Sequence, residues 1–113
     1  MAIDSIDTID SVAYENNLLI LQIYDHLEFD EQFEYDHMML LQDKLNTYIW
    51  YIDSKQYQDT YPRRIFSHFE IRIFFLSEPS KLCKEYLEHV NLKLSGNQII
   101  IKYQIEKDYV FQK

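Results

Sequence analysis

Two histidines, His26 and His37, bracket the carboxylates Glu28, Asp30, Glu31, Glu34 and Asp36. Imidazole and carboxylate are the side chains that hold divalent metals, provided several converge on one point. The spacing here matches no metal signature, since the chain has neither a His-Glu-x-x-His pair nor an Asp-x-Asp-x-Asp-Gly loop. Carboxylates massed at a helix start have a simpler explanation, because the first turn of a helix favours negative charge. The expectation is no metal and no cofactor.

Nucleophilic chemistry fares no better. The one cysteine, Cys83, lies on the apolar stripe of a helical pattern, where a thiol is inert core. A glycine-rich phosphate loop is ruled out by a glycine count of 1. Carboxylate pairs occur by chance in any chain this acidic. No catalytic residue is assigned, and the chain is not expected to be an enzyme.

Charge is more informative. The 113 residues carry a net charge of -8, unevenly placed. Met1 to Asp43 contain 11 acids and no Lys or Arg, and Lys44 is the first base. The remainder holds 8 acids and 11 bases, so the two parts carry −11 and +3. Such a field disfavours a phosphate backbone, which needs a basic face. It suits a basic protein partner, whose approach an opposite potential accelerates. The competing explanation is a solvated acidic surface that serves solubility alone.

The long helical pattern from about Glu31 to Ser54 must position these groups. Its apolar stripe recurs at Met38, Leu41, Leu45, Tyr48, Ile49 and Ile52, the three-and-four spacing of a docked face. A cap is expected near Asp30. Trp50 falls nearly opposite that stripe, beside Met39, Asp43 and Asn46. Trp and Met on a polar face are typical interface anchors, unless another segment folds over them. Tyr35, Tyr57 and Tyr61 are either contacts of the same kind or lids on the helix ends. The partner-binding set is therefore Glu28, Asp30, Glu31, Glu34, Asp36, Met39, Asp43 and Trp50.

Around this helix the order reads strand, strand, helix, strand, helix, strand. An irregular arm over residues 3–9 leads into a hairpin, Ser11 to Tyr14 and Asn17 to Asp25, turning at Glu15-Asn16-Asn17. Leu19, Leu21 and Ile23 form the buried face of the second strand. After Ser54 a polar and aromatic connector ends at Pro62. The third strand spans Ile65 to Leu76, with Phe69, Ile71, Ile73 and Phe75 facing inward. Ser77-Glu78-Pro79 opens the second helix, with Pro79 in its first turn. Its stripe is Leu82, Cys83, Tyr86, Leu87, Val90 and Leu94, and Gly96 is the expected stop. The last strand is Gln98 to Glu106, and the tail to Lys113 is expected to fray.

The fold class is therefore α/β in the α+β sense. It is a two-layer sandwich with a four-stranded mixed sheet and two helices on one face. Right-handed crossovers make strands two to four parallel and leave strand one antiparallel at the edge. The open face would carry Gln22, Tyr24, Glu70, Arg72, Lys102 and Gln104. One domain spans residues 1–113. No leader peptide or membrane-length apolar run is visible, so a cytoplasmic location is expected.

The run Asp25-His26-Leu27-Glu28-Phe29 is followed by His37-x-x-Leu40-Leu41-Gln42-Asp43-Lys44-Leu45-Asn46-x-Tyr48. Tyr51-Ile52-x-Ser54-x-Gln56 and Tyr61-Pro62 come after it. Together these resemble a small bacterial family of unknown function, almost end to end. Phe29 stands where many of those relatives have tryptophan. The resemblance implies the same element order and a bacterial origin, and it implies no activity.

The functional expectation is an acidic protein-binding domain, foremost a bacterial immunity protein that neutralises a cognate toxin by binding it. The alternative is a stand-alone cytoplasmic regulatory domain that self-associates. Nucleic acid and membrane are not expected as partners, and the chain is expected as a monomer or weak homodimer.

Overall fold

A computed structural model of the chain describes Ile3 and residues 5–106. Strands β1 (Ser11–Glu15) and β2 (Leu18–Asp25) form a hairpin. They are joined by Asn16-Asn17, with Asn16 in the left-handed region at φ 56. Asparagine tolerates that conformation better than most residues, which suits it to a two-residue turn. Helix α1 (Glu34–Asp53), a short helix α2 (Tyr57–Thr60), β3 (His68–Phe75), α3 (Lys81–Leu94) and β4 (Ile99–Ile105) follow. The four strands lie in the order β1-β2-β3-β4. β1 is antiparallel to β2; β2, β3 and β4 run parallel.

The sheet and helix core matches the sequence pattern. Leu19, Leu21 and Ile23 of β2, with Ile71, Ile73 and Phe75 of β3, are fully buried. Leu41 and Leu45 of α1 and Cys83 and Leu87 of α3 pack into the same cluster. Beyond the open edge of β4, Asn91 of α3 donates to the Ile101 carbonyl (2.9 Å) and accepts from its N–H (2.7 Å). An edge strand exposes unpaired backbone groups, and this side-chain amide occupies two of them.

Several local details differ from the sequence reading. The N-cap of α1 is Phe33 rather than Asp30, with no side-chain cap. Asp30 instead closes the preceding turn, its carboxylate accepting from Gln32 N–H at 2.8 Å. The connector contains α2, whose Tyr57 is buried against Phe66 and Phe69. Helix α3 starts later than expected, at Lys81. Its N-cap Ser80 accepts from Cys83 N–H at 3.1 Å, so Pro79 lies outside the first turn. Leu82 is exposed, because it falls on the outer side of that helix. Gly96 does not supply the left-handed stop; a 3-10 turn continues through Ser95–Asn97, and Gln98 takes φ 61.

On the face without helices, Glu70 is buried rather than solvated. Arg72 Nε donates to its carboxylate at 2.5 Å, and Lys102 Nζ stands 3.8 Å from the other oxygen. The expected tail beyond Glu106 lies outside the described residues.

Candidate functional site

Helix α1 buries two polar side chains that sequence patterning passed over. Lys44, the first base of the chain, is fully buried. Its ammonium donates to the carbonyls of Ser5 (2.6 Å) and Thr8 (2.7 Å) and pairs with Asp10 at 2.7 Å. The other Asp10 oxygen accepts from Tyr24 N–H at 3.0 Å. Asp10 N–H donates to the Tyr48 hydroxyl at 2.8 Å, and that hydroxyl donates in turn to the Gln22 carbonyl. Burial pushes the Tyr48 hydroxyl pKa far above its ordinary range, which keeps it a neutral donor. The arm is thereby fastened to both helix and sheet.

The second buried group is His37. Its Nε2 lies 2.6 Å from an Asp25 carboxylate oxygen and its Nδ1 lies 3.3 Å from the Glu28 carbonyl. Phe29 stacks on the imidazole with ring centroids 4.0 Å apart. The remaining Asp25 oxygen accepts from Leu27 N–H at 3.1 Å. This pair fixes the loop 25–33 against the start of α1. Cys83 is buried, and desolvation, with added repulsion from Asp25 and Glu34, pushes its thiol up to about 12. Such a thiol is core, as the sequence indicated.

Pinned in this way, the loop and helix start enclose a groove of about 310 Å³. Leu27, Phe33, His37 and Leu40 supply its non-acidic lining, and Glu28, Asp30 and Asp36 its acids. Phe33 is 54% exposed, a large apolar side chain presented among carboxylates. The three acids are exposed to solvent. The concavity offers an apolar floor with negative rim charge, a chemistry complementary to an amphipathic basic segment.

The eight residues expected to bind a partner do not form one site. Glu28, Asp30 and Asp36 meet in the groove. Glu31 is exposed and Glu34 half-buried beside it. Met39 and Trp50 are exposed on the helix, at 38% and 61%, and Asp43 is half-buried. Trp50 stands fourteen residues beyond Asp36, about 21 Å along the axis. Among the described residues neither the arm nor the connector covers it. The core stripe of α1 carries no information about Leu40 on its flank, and Leu27 and Phe33 precede the helix in a loop whose shape depends on the Asp25–His37 contact. Lys44 was legible in principle, since it falls between Leu41 and Tyr48 in the stripe's own three-and-four spacing.

Among the described residues no group of three or more His, Cys, Asp or Glu side chains is arranged to hold a metal. No helix among them is long and apolar enough to cross a membrane. Fold and groove together define a two-layer α+β domain with an acid-rimmed apolar concavity. The chain belongs to a family of unknown function, DUF6572, whose model matches residues 1–107. No curated protein and no solved structure matches it.

Proposed function

We propose that this protein is a binding domain for a basic protein partner, and that it acts by occupying that partner rather than by chemistry. The observation carrying the reading is the groove at the start of α1, where Glu28, Asp30 and Asp36 surround Leu27, Phe33 and Leu40. Asp10 pairs with Lys44 inside the fold and Asp25 is buried against His37, so neither presents its carboxylate to a partner. The field that remains is densest at this helix end. Within this class we favour an immunity-type role: neutralising a basic toxin by covering its working surface. An acidic field accelerates encounter with such a partner, and the apolar floor prolongs the complex.

The test uses the protein as bait, beside a variant with Glu28, Asp30 and Asp36 changed to Lys. The expected result is a basic partner retained by the first and lost by the second. Surface plasmon resonance should then show association slowing with salt for the native chain. Association insensitive to salt and to the reversals would leave the acids as a solubility device and end this reading.

A further inference from the structure

A second concavity lies at the carboxyl ends of the parallel strands. In open sheets of this kind, ligands settle beyond those ends. A cavity of about 150 Å³ is lined there by Tyr24, Asp25, His26, Phe74, Phe75, Leu76 and Glu106. Tyr24 and Phe74 stack nearly parallel, at 18° and 5.3 Å between centroids. Phe75 is fully buried, whereas Tyr24 is 38% exposed. Leu76 N–H bonds to the Asp25 carbonyl (3.0 Å) and Glu106 N–H to the Phe75 carbonyl (2.7 Å), so the backbone around the cavity is tied down.

The lining offers two accessible phenyl-type rings, Tyr24 and Phe74, and one accessible carboxylate, Glu106, with neither Lys nor Arg. The Phe75 ring and the Asp25 carboxylate are fully buried, and Asp25 is committed to Leu27 N–H and His37. Aromatic faces and carboxylates both attract cations, and a planar guanidinium can use the two at once. The chain shows the aromatic half of that contact elsewhere: the Arg64 guanidinium lies 3.7 Å from the Tyr14 ring centre and donates to its hydroxyl at 2.9 Å. One Glu106 oxygen accepts from Gln104 at 2.7 Å, which leaves acceptor capacity on a carboxylate.

We propose that this cavity is a guanidinium pocket that takes one arginine side chain of a protein partner. The proposal deepens the binding reading, since the loop 25–28 contributes Asp25 and His26 to this cavity and Leu27 and Glu28 to the acidic groove. A basic segment lying in the groove would place an arginine here by crossing that loop.

The test is an NMR titration of the full chain with N-acetyl-arginine amide, following the Tyr24 and Phe74 ring signals at physiological salt. Saturable shifts of both rings are expected. Glu106→Gln and Phe74→Leu should each weaken binding several-fold, with unchanged melting curves showing that the variants fold. The N-acetyl-citrulline amide control, which lacks the charge, should bind at least about tenfold more weakly. Equal binding of citrulline, or no saturable shift, overturns the pocket. Equal binding of N-acetyl-lysine amide overturns its preference for a planar cation. Arg63 is an exposed arginine between α2 and β3, and concentration-dependent dimerisation abolished by Arg63→Ala would assign the cavity to a second copy of this chain and overturn the partner assignment. Reversing Glu28, Asp30 and Asp36 should leave the ring shifts in place, so this pocket and the groove reading fail separately.

Discussion

Helix α3 meets the sheet with Cys83, Leu87 and Leu94, all neutral and buried. Helix α1 buries seven residues, and two of them, His37 and Lys44, are ionisable bases. The difference lies in what each helix has to hold. α3 covers β3 and β4 and is organised by local rules, a serine cap and an apolar stripe. α1 also clamps two irregular segments, the arm through Lys44 and the loop 25–33 through His37. Such segments present backbone carbonyls that need donors, and a buried cation with several acceptors supplies them.

That contrast can be broken most directly at Lys44. Lys44→Ala removes one partner of a buried pair and leaves Asp10 uncompensated, a change that costs about 3–5 kcal/mol in urea unfolding. Asp10→Ala should cost a similar amount, and the double variant less than the sum. A loss near zero would mean that the arm is not held by this pair.

On α3 the corresponding probe is Leu87→Ala, expected to cost about 2–5 kcal/mol as a buried truncation. Its effect should be independent of pH, unlike that of Cys83. The Cys83 thiol rises from an ordinary 9.0 to about 12 in the fold. A raised acid pKa means that the folded state holds the proton more tightly. The contribution is complete below pH 9.0 and drains as pH climbs toward 12. Cys83→Ala should therefore flatten the alkaline fall in stability, and an identical fall in both proteins would contradict the assignment. Ser80→Ala should cost only about 0.5–2 kcal/mol, by loss of the cap. Smallest of all, Leu82→Ala should change stability by less than about 0.5 kcal/mol, because Leu82 is already in water.

The same contrast explains what the sequence disclosed. Strand faces, the hairpin turn and the α3 core follow local periodicity, and Leu19, Leu45, Ile71 and Leu87 are buried as that periodicity requires. The helix ends depart from the sequence reading where a side chain closes a local turn instead of capping, or where a turn continues. Asp30 serves a preceding turn, and Gln98 rather than Gly96 turns left-handed. The acidic cluster was visible by composition, but its groove was not. That shape depends on Asp25 meeting His37, twelve residues away in sequence. No period of 2.0 or 3.6 reports such a contact.

The central claim is that the groove at the start of α1 is the recognition surface, and one titration reaches it without a known partner. The isotope-labelled protein is titrated with an amphipathic Lys- and Arg-rich peptide at low salt and again at ~0.15 M. The predicted result is saturable shifts concentrated at Leu27, Phe33 and Leu40, weakened by salt and lost when Glu28, Asp30 and Asp36 become Lys. Shifts spread evenly over every exposed acid, Glu15 and Asp59 included, would contradict it.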